Sequence, residues 1–209
     1  MAVSALPGPD VIVPAEVDQI RGANVFHSFA QFSVPERGSV TFTGSEAIDN
    51  ILGRVTGGTP SLIDGSLRSA IPGATLYLIN PAGVIFGLHA RLDTRGSVQV
   101  NTADFLPFKD RERFAANLNE TPVLTAALPT AFGFIDPHPA PIRINGSQLN
   151  VLEGSALSIV GGDIHIQGDT TRFSIAPKMI TQSGPMTIVS VASPGEVVTD
   201  MADAVLYTG

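Results

Sequence analysis

This chain of 209 residues has no cysteine, no tryptophan and only two tyrosines, Tyr77 and Tyr207. Without thiols there is no thiolate metal site, no cysteine nucleophile and no disulfide staple. That suits a reducing cytosol, and it suits equally a chain that crosses the periplasm without being cross-linked on the way. Charge is also scarce. Lys, Arg, Asp and Glu make up 15% of the residues, against roughly 25% in an average globular protein. The balance is acidic, 12 basic against 19 acidic side chains and a net charge of −7. A phosphate backbone is held by clustered cations, so nucleic acid is excluded as a partner. The first ten residues lack a basic region followed by a long apolar core, and no signal peptide is expected in them. The longest uncharged stretch, Ser69 to Leu88, has the length of a membrane helix. It contains Pro72, Gly73, Asn80, Pro81, Gly83 and Gly87, which break a helix repeatedly, so no membrane insertion is expected.

Glycine and proline are in excess, at 21 and 16. Average usage would give roughly 25 of the two together. No collagen-like period accompanies the excess. Short apolar runs lie between the glycines, and hydrophobic residues amount to 44% of the chain, enough for one domain with a continuous core. The pattern predicts many strands and many turns. Strand-like pieces fall at 11–13, 39–44, 51–58, 61–67, 75–83, 84–87 and 90–100. In 39–44, Val40 and Phe42 alternate with Ser39, Thr41 and Thr43, the period-two mark of a half-buried strand.

Residues 103–119 read differently. Five charges crowd Lys109–Arg113, and Phe105, Phe108 and Phe114 are spaced loosely like a helical face, with Pro107 confining any helix to the part after it. Four prolines between 121 and 140 suggest an extended excursion, with its strand at 132–135. Residues 103–140 are therefore expected to be an elaboration packed on a regular body. From Pro141 apolar starts recur at Ile142, Leu149, Leu157, Ile164, Phe173, Ile180 and Met186. A strand of four or five residues plus a short Gly or Asp corner fills each interval. Three intervals make a coil of about 22 residues, the geometry of a parallel β-helix. An antiparallel sandwich is the rival, but it calls for longer strands joined by two-residue turns. The expected fold is all-β, a parallel β-helix with three short strands per coil.

Catalytic and binding patterns are weak. Asp49, Asp64, Asp93 and Asp163 each sit in a turn-forming context, where Asp caps backbone amides, so the carboxylate pair of a glycoside hydrolase is not expected. No carboxylate-dense segment offers a Ca²⁺ site. His27, His89, His138 and His165 show no i, i+4 ligand spacing, and neither metal nor cofactor is expected. His27, in the run Phe26–Phe29, reads as a packed or hydrogen-bonded histidine, and His165, between Ile164 and Ile166, as a solvent-facing one. Ser66, Ser147 and Ser155 follow glycines but lack the second glycine of a nucleophile elbow. The Gly pairs at 57–58 and 161–162 open no helix and read as coil corners, not phosphate cradles. Asn80-Pro81-Ala82-Gly83 is a turn by composition: Pro81 presets φ, Asn80 bonds onward and Gly83 accepts a tight corner.

Several ordered blocks resemble a known family. They are GANVFHSFAQFSVPERGSVTFTG (22–44), NILGRVTGG (50–58), SLIDGSLR (61–68), LYLINPAGVIFG (76–87), LHARLDTRGSVQVNTADF (88–105) and LSIVGGDIHIQG (157–168). Together they are similar to the secretion domain of two-partner secretion exoproteins, the filamentous-haemagglutinin N-terminal family. The resemblance runs from about Gly22 to SVASPGEV (190–197). It implies a right-handed parallel β-helix with an N-terminal cap, about residues 1–34, extra-helical strands within 103–140 and regular coils over 141–209, all in a single domain. It also implies an exoprotein that passes through the periplasm and is secreted or displayed on the surface of a Gram-negative cell. Its partner would be an outer-membrane transporter that reads this domain through POTRA domains, and downstream β-helix repeats would follow in the full-length protein. The family's Asn-Pro-Asn-Gly-Ile block corresponds to Asn80, Pro81, Ala82, Gly83 and Val84, with Ala82 and Val84 departing from the usual Asn and Ile. By the resemblance, Asn80, Pro81, Gly83 and Val84 form a transporter-recognition motif or a structural turn. The chain is expected to be the secretion domain without the rest of its exoprotein. A glycan-binding adhesin is the alternative, although it would want an exposed aromatic platform that this composition scarcely supplies. A β-helical polysaccharide-degrading enzyme ranks behind it.

Overall fold

The computed structural model describes residues 9–117, 123–168 and 176–198. Three sheets wind along a common axis. The first holds Asp10–Pro14, Ser39–Thr43, Ser66–Ser69, Arg91–Thr94, Gln148–Val151 and Lys178–Thr181 in that spatial order. The second holds Gln19–Arg21, Asn24–Phe29, Asn50–Val55, Thr75–Ile79, Val98–Asn101, Leu157–Gly161 and Met186–Ser190. Ser61–Ile63, Val84–Phe86, Ile142–Asn145 and Ile164–Gln167 form the third. Successive coils visit the sheets in turn and pair in parallel, for example Val40 with Leu67 and Leu67 with Leu92. This is a parallel β-helix, as the sequence led us to expect. The paired residues Leu76 and Val98, like Ile142 and Ile164, lie 22 residues apart. The last step is longer, from Leu157 to Met186, and the strand expected at Phe173 falls outside the described residues.

The core is built by stacking like on like. Ile51, Leu76, Val98 and Leu157 follow one another up the second sheet. They meet Val40, Leu67, Leu92 and Leu149 from the first sheet and Ile63, Phe86 and Ile144 from the third. Each such side chain contributes on the order of 2 kcal/mol by leaving water. At the upstream end, Gln19–Arg21 runs antiparallel along Asn24–Phe29 and covers the edge of the second sheet. A single 3-10 turn, Ala15–Val17, connects it to the first strand.

Residues 103–117 depart from the helical expectation. Phe105–Pro107 and Arg113–Ala115 are antiparallel strands, with Phe105 opposite Ala115 and Pro107 opposite Arg113. The charged run is the hairpin between them, where the Phe108 N–H donates to the Glu112 carbonyl at 2.9 Å and the Arg111 N–H to the Phe108 carbonyl at 2.9 Å. Charges gather there because the loop is solvated, not because a helix needs a polar face. Ala131–Phe134 and Gly195–Val198 complete a four-stranded side sheet. Its Leu106, Phe108, Phe114 and Phe132 pack on Phe26, Leu52, Tyr77, Ile79 and Val160 from the outer face of the second sheet. Covered on both faces, strands such as Asn50–Val55 are buried throughout, which is why they read as apolar runs without alternation.

Candidate functional site

The Asn80–Gly83 turn joins the second sheet to the third. Asn80 is fully buried, and its Nδ2 donates to the Thr59 carbonyl at 3.0 Å and to Ser61 Oγ at 2.9 Å. Its Oδ1 accepts the Ala82 N–H at 2.9 Å, its carbonyl accepts the Gly83 N–H at 3.0 Å, and its own N–H donates to the Asn101 carbonyl at 3.0 Å. One side chain thus closes the turn and ties it to the coil before, while its backbone reaches the coil after. Glycine is required at 83: φ is +116°, and a Cβ there would come 3.1 Å from the Pro141 carbonyl oxygen. The Gly83 carbonyl accepts from the Ser61 N–H at 3.0 Å. Val84 points into the core and is fully buried. Of the motif, only Pro81 and the Ala82 beside it are half-exposed. Asn80, Gly83 and Val84 therefore hold the turn from within, and Pro81–Ala82 is the part that reaches solvent.

Pro81 and Ala82 form one wall of a groove that the sequence did not mark. Two adjoining depressions, of about 240 and 230 Å³, share Asp104 and Asn117. The first lies between the turn, Thr56 and the side sheet, and the second runs on to Ile135 and Asp136. Asp104 Oδ2 accepts the N–H groups of Ile135 at 2.6 Å and Asp136 at 3.2 Å, which fixes the chain where it leaves the side sheet. Asp104 and Asn117 in the charged segment, and Ile135 and Asp136 in the proline-rich one, carry no pattern by which sequence could have singled them out.

The other singled-out residues are distributed over the fold. His27 is buried, with Nδ1 2.9 Å from Asp18 Oδ2. Burial lowers its pKa, and the hydrogen bond and charge of Asp18 oppose the shift without cancelling it. His165 is exposed on the third sheet. Asp64 Oδ1 accepts the His89 N–H at 2.9 Å, and Asp93 pairs with Arg68 at 3.3 Å, so both carboxylates serve corners and surface pairs. Among the described residues no group of three or more His, Asp or Glu side chains converges on a metal position, and no helix is long and apolar enough to cross a membrane.

A family model described as the TPS secretion domain matches residues 11–207. The chain belongs to the TPS secretion domain family. No curated protein matches it. The TPS match spans all three sheets of the coil and the side sheet, so it concerns the whole architecture and not one motif. It makes the chain the secretion domain of a two-partner exoprotein, a protein carried across the outer membrane by a dedicated transporter, and the TPS family is not a family of enzymes.

Proposed function

We propose that this TPS domain is the address label of a large bacterial exoprotein, recognised in the periplasm by the POTRA domains of its cognate outer-membrane transporter. Recognition starts translocation, and the β-helix forms coil by coil at the cell surface. The observation that carries this reading is the family match over residues 11–207. The fold supports it physically. A parallel coil can grow from one end, because each added turn buries its apolar residues on the one before, and that gain opposes backsliding through the transporter. Within residues 1–209, acting as one secretion domain, the first 34 or so cap the coil, 103–140 form the elaboration and 141–209 the regular coils onto which downstream repeats would stack. In the motif, Asn80, Gly83 and Val84 act by holding the turn, and Pro81 by facing the transporter.

A secretion assay tests this. The chain, given a signal peptide, is expressed with and without its transporter, and the medium is analysed. Appearance outside the cell only with the transporter is the expected result. Asn80→Ala should reduce secretion and melting temperature together, since it strips the turn of three side-chain hydrogen bonds. Retention in the periplasm of a folded, β-rich domain despite the transporter would overturn the proposal.

A further inference from the structure

The outer faces of the β-helix are not alike. On the first sheet Arg68 pairs with Asp93 at 3.3 Å, and at the neighbouring corner Arg37 pairs with Glu36 at 3.5 Å and His89 lies 3.4 Å from Asp64. The second sheet is covered by the side sheet. Between that cover and the Asn80–Gly83 turn lies the groove described above, and its features do not balance internally. Ile135 is 57% exposed at one end, although it directly follows a strand whose four residues are all buried. Asp104 and Asp136 flank it. Asp104 spends one oxygen on two backbone amides, and Asp136 Oδ1 accepts the His138 N–H at 2.7 Å. Among the described residues neither carboxylate has a cation within ion-pair distance. An exposed branched aliphatic beside two carboxylates without cations, in a concave seam, is complementary to a segment that offers an apolar side chain and a basic one.

We infer that this groove, walled by Pro81–Ala82 and Thr56 on one side and by Asp104, Ile135 and Asp136 on the other, is the surface on which the periplasmic part of the transporter docks. The occupant is an extended segment of the transporter carrying an apolar residue next to an arginine or lysine. The inference rests on the reading of the chain as a transporter-recognised domain and adds where the recognition occurs. Its logic is one of placement. The buried part of the turn sets the wall, Asp104 sets the path of the chain through Ile135, and the exposed remainder makes the contact. The net charge of −7 adds a long-range field that draws a basic partner surface in and weakens with salt.

The test measures binding of this chain to the purified periplasmic module of the cognate transporter by calorimetry, at low and high salt. Ile135→Asp and Asp136→Asn are compared with Arg91→Glu, a charge change on the outer face of the first sheet, and circular dichroism and melting temperature confirm that each variant is folded. Ile135→Asp should weaken binding tenfold or more and Asp136→Asn several-fold. Arg91→Glu should not weaken it, and wild-type affinity should fall as salt rises. Folded groove variants that bind as the wild type does would overturn the inference and leave the secretion reading intact. A wild-type chain that does not bind the module at all would overturn both. Should sedimentation instead show that Ile135→Asp dissolves a homodimer while transporter affinity is unchanged, the groove belongs to a second copy of this chain and the docking assignment is wrong.

Discussion

His27 lies 1% exposed between Phe29 and Phe42, with ring centroids 6.0 and 5.4 Å away. Burial disfavours the imidazolium, so the folded pKa lies below the ordinary 6.5 even with Asp18 pulling it upward. The neutral ring is then the folded form, donating from Nδ1 to the Asp18 carboxylate and tying the antiparallel upstream strand to the first coil. The sign follows from proton uptake. Between the folded pKa and 6.5 the unfolded chain binds more protons than the folded one. His27 therefore contributes full stability above about pH 6.5 and loses it as pH falls toward the folded pKa. Melting temperature should drop on acidification below 6.5 more steeply in the wild type than in His27→Gln, which cannot titrate. Parallel curves for the two proteins would refute this account. That this histidine is packed was legible from the apolar Phe26–Phe29 run, whereas Asp18 as its partner was not, because the two meet only when the chain reverses at residues 22–23.

At the scale of elements, the side sheet is attached through an unusual cation. Arg54 is buried on the outer face of the second sheet, with Nε donating to Ser28 Oγ at 2.8 Å and Nη1 to the Ala115 carbonyl, and with its guanidinium 4.8 Å from the centre of the Phe114 ring. Burial lowers its pKa, yet the group stays charged because an arginine starts so high. Arg54→Ala leaves the Ala115 carbonyl without its donor and empties space against Phe114, so a loss of about 2–3 kcal/mol is expected. Urea unfolding checks this. An unchanged midpoint would mean that the side sheet is held by its phenylalanines alone. Gly133 shows the other half of the attachment. Phe105 lies across it so closely that a Cβ would clash with the ring, and the Arg113 guanidinium lies over that ring at 4.4 Å from its centre. These contacts also explain what the sequence concealed. Strands of the coil, such as Ser39–Thr43 and Ile142–Asn145, have one solvated face and betray themselves by alternation. Phe105–Pro107 and Arg113–Ala115 lie in a sheet pressed on one side and roofed by aromatic and guanidinium groups on the other. Their phenylalanines fall at spacings that mimic a helix, and only tertiary contact decides between the two. The Asn80–Gly83 turn was legible from its residue types, while the groove beside it joins segments some 20 to 80 residues apart and leaves no local signal.

For the molecule as a whole, a stack of coils is stabilised by neighbours on either side, so its ends differ from its middle. The upstream end is closed by Gln19–Arg21. At the downstream end the core-facing positions that repeat Leu157, Ile159 and Ile144 are Met186, Ile188 and Ile166, and these are 40, 41 and 44% exposed. The equivalent residues one coil earlier are essentially inaccessible to solvent. Burial that has not happened stabilises nothing, so the last coil gains only from the coil beneath it. Opening should therefore begin downstream and travel inward, as expected of local unfolding where apolar contacts are few. Amide hydrogen exchange is the measurement. Amides of Thr75–Ile79 and Val98–Asn101 should exchange most slowly, and those of Lys178–Thr181 and Met186–Ser190 roughly tenfold or more faster. Uniform protection along the axis would mean that the domain opens only as a single unit, and growth by addition of coils would lose its physical basis. A graded profile would mean that each coil is held in place by its neighbours, with the half-exposed Met186, Ile188 and Ile166 marking the least stabilised coil of the stack.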